Sequence, residues 1–203
     1  MGHPLIVRVT HWVNAYAMIC MIMSGWAIYN ASPLFPFHFP AWATLGGWLA
    51  GGVAWHLAIM WLLVINGLVY VGYGLVSGYF RRRLLPLQPT EVLRDLRDVA
   101  ALRLRHPVGE YNAMQRWAYV GVSLLGVLAV ASGLALWKPV QLAALTAAFG
   151  GYETARRVHF AIMVCIVGFI FGHLVLAVLF PRTLATMITG RAGLPAAAEQ
   201  SSR

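Results

Sequence analysis

From Val9 to Phe80 the chain contains no Lys, Arg, Asp or Glu, and the same holds for Trp117–Trp137 and Val158–Pro181. A helix that crosses a bilayer needs about 20 predominantly apolar residues, so these three stretches offer room for four spans. Composition agrees: 10% of residues are charged, against about 25% in a soluble domain. The expected fold is therefore all-α, an integral membrane four-helix bundle over residues 1–190, with spans near 9–30, 45–78, 116–137 and 157–180 and a polar C-terminal tail at 191–203.

The second apolar stretch is too long for a helix standing perpendicular to the membrane, so it must tilt or project at one end. Between the second and third spans, the Leu/Val spacing and alternating charges of Thr90–Leu104 predict a short amphipathic helix along the membrane surface. The first apolar run follows a very short basic start without a small-residue cleavage site, so it reads as a retained span rather than a signal peptide. Cys20 and Cys165 fall inside apolar helices and suggest core packing, not a disulfide framework. No internal repeat is evident.

The formal charge of +9 does not point to nucleic acid. Eight of the fifteen Lys and Arg residues lie between Arg81 and Arg116, beside four of the six acids. Basic residues concentrate in cytoplasmic loops, so this loop and both termini are expected in the cytoplasm, with the other two connections outside.

The histidines carry the chemistry. Of the seven, His11, His56, His159 and His173 lie inside expected spans, where an ionisable side chain is costly and marks function by default. His159 and His173 are 14 residues apart on one helix, which is just under four turns and roughly 21 Å, so both point to nearly the same face. With the N terminus inside, the four sort by depth into an inner pair, His11 with His173, and an outer pair, His56 with His159. Such a ladder would build two stacked bis-histidine haem sites, since neutral imidazole is a good axial ligand for iron. There is no C-x-x-C-H, so the haems would be non-covalent b-type. Buried core histidines, or zinc or copper held by His11 and His173, are the alternatives, and no carboxylate or thiol completes such a metal site. His3, His38 and His106 lie near termini or in loops and are not read as ligands, although His106 would sit close to a cytoplasmic quinone site.

Gly46-Gly47 and Gly51-Gly52 precede His56, and Gly25, Gly133 and Gly168 lie in other spans. Glycine lets a flat macrocycle approach a helix backbone, but small residues equally serve helix packing in membranes. Arg8, Arg156 and Arg157 stand at the ends of the ladder, where they could pair with haem propionates or anchor the helices at the interface.

The order of the four histidines, with the last two 14 apart, resembles the di-haem cytochrome b subunits of formate dehydrogenases and nickel–iron hydrogenases, within the bacterial cytochrome b561 superfamily. The opening His3-Pro-Leu-Ile-Val-Arg-Val-Thr-His-Trp-Val-Asn-Ala15 looks like the start of such subunits. So do Tyr111-Asn-Ala-Met-Gln-Arg116 and Met187-Ile-Thr-Gly190. The resemblance implies that His11 and His173 ligate an inner haem b, and His56 and His159 an outer one. It also implies a quinone site near the inner haem, formed by Asn112 and Gln115, whose amides can hydrogen-bond a quinone oxygen; capping of span three is the plainer role for both. The family frequently has glycine where this chain has Ala113-Met114.

The function expected on these grounds is electron relay across the bacterial inner membrane, between a periplasmic oxidoreductase subunit and membrane quinone. Residues 32–39 and 138–152 would form the docking surface, and a molybdopterin oxidoreductase of the sulfite-oxidase type is the partner the resemblance favours. Two other readings stand beside it: a self-contained quinone-linked oxidoreductase such as a superoxide oxidase, and a haem-free membrane anchor or transporter.

Overall fold

The computed structural model describes residues 4–83, 113–179, 184 and 187–190. The expected surface helix at 90–104, the tail at 191–203, His3, His106, Asn112 and the side chain of Gln115 lie outside the described residues. The described elements are α1 (Leu5–Ala31), a 3-10 turn (Ala41–Ala43), α2 (Leu49–Val76), α3 (Tyr79–Arg83), α4 (Ala113–Trp137), α5 (Ala143–Ala148) and α6 (Tyr152–Leu179).

Four of these are long and apolar enough to cross a membrane: α1, α2, the Trp117–Trp137 part of α4, and α6. Three start earlier than the sequence predicts, α4 by only three residues, at Ala113. Helix α1 takes in Arg8, and α6 takes in Arg156 and Arg157, because a long cationic side chain can lie along a helix end and keep its head at the polar interface. Helix α2 has 28 residues, about 42 Å at the α-helical rise, against a hydrocarbon core of about 30 Å. It nevertheless stops at Val76, and Gly78 (φ 64°) turns the chain into α3, so the charge-free run to Phe80 is not one helix.

The spans pack as two hairpins, α1 with α2 and α4 with α6. Among the described residues, no two long helices from different hairpins pack comparably closely. Lipid tails are as apolar as the helices, so close contact of small groups and interhelical hydrogen bonds must hold each hairpin. Ala17, Cys20 and Ile59 form a buried cluster between α1 and α2. A Cβ on Gly52 would lie 3.0 Å from the Ala27 Cβ, so glycine sets the approach of the two helices there. Gly46 (φ 108°) and Gly51 press backbone against backbone at the start of α2. These glycines therefore serve chain turning and helix packing, the second of the two roles open to them. Asn66 Nδ2 donates to the Thr10 carbonyl at 2.9 Å, tying α2 to α1 near their other ends. Cys20 is buried as expected, whereas Cys165 is exposed on α6.

Outward-facing side chains such as Leu68, Val127, Phe171 and Val178 stay exposed, the arrangement a lipid solvent demands. Both hairpin connections lie at one end of the bundle, the loop end. There the Asn30 amide clamps the Phe39 backbone, donating to its carbonyl at 2.8 Å and accepting from its N–H at 2.9 Å. Trp26 stacks on Phe39 with ring centres 4.4 Å apart. Phe160 of α6 packs against Tyr29 and Phe35, at 5.1 and 5.7 Å between ring centres. Arg156 donates to the Ser32 carbonyl and, at 3.0 Å, lies on its hydroxyl. These contacts join the two hairpins where the charge-free Pro- and aromatic-rich connection caps the bundle.

Candidate functional site

The four span histidines face one another across the space between the hairpins. His56 on α2 and His159 on α6 have ring centres 6.3 Å apart and planes inclined at 74°. His11 on α1 and His173 on α6 have ring centres 6.1 Å apart and planes inclined at 70°. The structure thus brings His56 beside His159 and His11 beside His173, and each pair draws one ring from each hairpin.

These separations suit one metal between two rings. A metal–imidazole bond is about 2.0 Å, and a coordinating nitrogen lies about 1 Å from its ring centre. Two imidazoles that shared one iron would therefore have centres about 6 Å apart. Edge-to-face contact between two rings covers a similar range, about 4.5–7 Å between centres, so the distance accommodates a shared metal and the chemistry of two facing imidazoles carries the reading. Among the described residues no group of three or more His, Cys, Asp or Glu side chains comes together, which leaves a zinc or copper site without its third protein ligand. The buried Trp26 Nε1 has no hydrogen-bond partner among the described residues. Trp26 lies one turn from Tyr29, on the face of α1 that meets α6. An unsatisfied buried donor at this level is what an absent polar ligand would leave behind.

The surroundings of the two pairs differ. Ser24 Oγ lies 3.0 Å from His56 Nδ1, and Ser132 Oγ lies 2.9 Å from His159 Nδ1. Beside each serine is a glycine facing the same ring: a Cβ on Gly25 would lie 3.5 Å from His56 Cε1, and one on Gly133 would lie 3.3 Å from His159 Cε1. The other pair is held by aromatic packing, with Trp12 edge-on to His11 at 5.4 Å and Phe169 parallel to His173 at 6.1 Å. His38 is exposed on the first connection. Gly168 faces open space.

Helix phase separates the three arginines. Arg8 and Arg156 each lie three residues before a histidine and share its face. Part of their donor capacity is already used. Arg8 donates to the Met187 carbonyl at 3.1 Å and to the Ile188 carbonyl, and Arg156 pairs with Glu153 at 3.6 Å besides Ser32. Arg157 is exposed and two residues before His159, on the far side of α6.

A relationship between the hairpins escapes a reading of the residues alone. In each, a Ser-Gly pair on the first helix packs against a histidine at the eighth residue of the second helix, and a Gly-Gly turn precedes that helix. Thirteen residues before Ser24 stands His11, but thirteen before Ser132 stands Tyr119. Fourteen after His159 stands His173, but fourteen after His56 stands Tyr70. The two hairpins thus share one histidine level and diverge at the other, and unlike residues at the second level hide the repeat in the sequence.

Comparison with known proteins agrees with this geometry. The family described as prokaryotic cytochrome b561 matches residues 2–190. A relative from Azospira oryzae, named "Putative protein-methionine-sulfoxide reductase subunit YedZ1", is 46% identical over 189 residues, covering 93% of this chain and 96% of that protein. No solved structure matches the chain. Four apolar spans, histidines facing between them and a match over nearly the whole length lead to one conclusion: the chain belongs to the prokaryotic cytochrome b561 family, multi-pass inner-membrane proteins that carry haem b and transfer electrons across the bilayer.

Proposed function

We propose that this chain holds two haems b, one between His56 and His159 and one between His11 and His173, and relays electrons between membrane quinone and a periplasmic oxidoreductase. The observation that carries this reading is the pair of cross-hairpin imidazole couples, with ring centres 6.3 and 6.1 Å apart. Haem supplies one-electron redox chemistry when bound. The protein's part is to present the four ring nitrogens, keep the hairpins apart at two depths and wall the space with apolar side chains. Arg8 and Arg156, which share faces with His11 and His159, are assigned to the propionates through the donors that remain to them.

The basic run Arg81–Arg116 supports an orientation with the termini and the end bearing His11 and His173 in the cytoplasm. The loop end is then periplasmic, and residues 32–39 and 138–152 form the face offered to the soluble partner. The name of the Azospira relative supports a partner that reduces methionine sulfoxide, with electrons moving from quinol toward the periplasm. A molybdopterin oxidoreductase is the class of partner assigned here. Asn112 and Gln115 are assigned to the quinone near the cytoplasmic pair.

The first test is a dithionite-reduced minus oxidised spectrum of the purified protein with a pyridine haemochrome count. Low-spin b-type bands and two haems per chain are expected; one haem or none overturns the two-site reading. The partner is tested by adding methionine sulfoxide to the reduced protein with and without its soluble subunit. Reoxidation only in the subunit's presence is expected, and equal rates in both mixtures count against it. Asn112→Ala or Gln115→Ala should slow reduction by quinol at unchanged haem content.

A further inference from the structure

Two matching polar contacts lie in the membrane region, Ser24 with His56 and Ser132 with His159. Both serine side chains are completely buried (0% exposed). Each hydroxyl lies 2.7 Å from the carbonyl four residues earlier, Cys20 for Ser24 and Leu128 for Ser132. Each also lies near the carbonyl three residues earlier, Met21 at 3.1 Å and Ala129 at 3.2 Å. A serine has one proton to donate and two lone pairs. That proton goes to the helix carbonyl at 2.7 Å, so toward the imidazole the hydroxyl oxygen accepts, and the ring nitrogen facing it must carry hydrogen.

We infer that Ser24 and Ser132 are positioning residues for the metal ligands of one haem: each holds its histidine as the Nδ1–H tautomer and leaves Nε2, with its free lone pair, turned into the space between the hairpins. This rests on the assignment of haem to His56 and His159. Gly25 and Gly133 complete the two clamps by leaving room for the Cε1 edge of each ring. No serine or threonine hydroxyl stands in the same relation to His11 or His173 among the described residues. Among the described residues the clamp thus belongs to one histidine pair, and the haem held there would be tuned by it. A hydrogen bond from the non-ligating nitrogen makes an imidazole a stronger electron donor, which favours the oxidised metal.

The test is a redox titration with EPR on the purified holoprotein and its Ser24→Ala and Ser132→Ala variants. Ser123→Ala serves as control, because Ser123 makes the same bond to its own helix, 2.7 Å to the Tyr119 carbonyl, and touches no histidine among the described residues. Either clamp variant should keep two haems and raise the midpoint potential of one and the same haem. A threefold to tenfold change in its reduction equilibrium is expected, about 30–60 mV for one electron, with a shifted EPR signal for that haem alone. The double variant should move it further, and Ser123→Ala should move neither. Unchanged potentials at full haem content overturn the clamp, as does equal loss of both haems. A wild-type protein without haem at His56 and His159, shown by a haem count that His56→Ala does not alter, overturns the underlying assignment and the clamp together.

Discussion

His56 and His159 sit 103 positions apart in the chain, yet they meet across the bundle with ring centres 6.3 Å apart and matching serine contacts of 3.0 and 2.9 Å behind them. Each ring is fixed from its own hairpin and faces the other hairpin. Whatever joins the rings also joins the hairpins, which among the described residues otherwise meet mainly at the loop end, through Phe160 and Arg156. On the proposed function, cofactor binding and bundle assembly would be coupled, as when a metal that binds the folded state alone stabilises it.

Loss of either partner should empty the same site. His56→Ala and His159→Ala are each expected to lower the haemochrome count from two to one per chain and to remove the same spectral component. His11→Ala and His173→Ala should remove the other. If His56→Ala and His173→Ala removed the same component, the pairing would be wrong.

The two glycines behind the outer rings should not be equivalent. A Cβ on Gly133 would stand 3.3 Å from the His159 ring, tighter than ordinary contact, and one on Gly25 would stand 3.5 Å from the His56 ring. Overpacking typically costs about 1–3 kcal/mol. Gly133→Ala is expected to displace its ring and lower haem occupancy, while Gly25→Ala is tolerated. Haem content after detergent purification decides it, and equal occupancy in the two variants would contradict the argument.

Arg156 fastens α6 to the end of α1 through Ser32. Its hydrogen bonds are charge-assisted but exposed, so a net contribution of about 1 kcal/mol is reasonable. Arg156→Gln should lower the melting temperature by about 2–4 °C. Because Arg156 shares the His159 face, haem at the outer pair should also be released more readily than at the inner pair.

Arg8 and Trp12 hold the segment at 187–190. Arg8 donates to the Met187 and Ile188 carbonyls, and Trp12 Nε1 donates to the Met187 carbonyl at 3.4 Å. Arg8→Ala should free this segment and speed its cleavage in limited proteolysis, leaving α6 protected. An unchanged cleavage pattern would show that the segment is held by other contacts.

The sequence determined much of this protein. Charge-free stretches of spanning length specify four membrane helices, because lipid tolerates little else. The 14-residue spacing of His159 and His173 specifies two levels on one helix face, because the α-helix has a fixed pitch. Hairpin topology then sorts His11 and His56 to those levels. Other features needed the tertiary structure. Ser24 and Ser132 look like ordinary helix serines, since their bonds to carbonyls four residues earlier are local; only the packing of one helix on the next shows that a histidine stands at each hydroxyl. Gly25 and Gly133 separate from Gly46, Gly51 and Gly52 for the same reason. The sequence supplies a glycine in every case, but its neighbour decides whether the space serves an imidazole edge or a crossing backbone. The likeness of the two hairpins was hidden because Tyr70 and Tyr119 stand at the positions where the other hairpin has histidine, and a likeness of backbone geometry leaves no trace where the side chains differ.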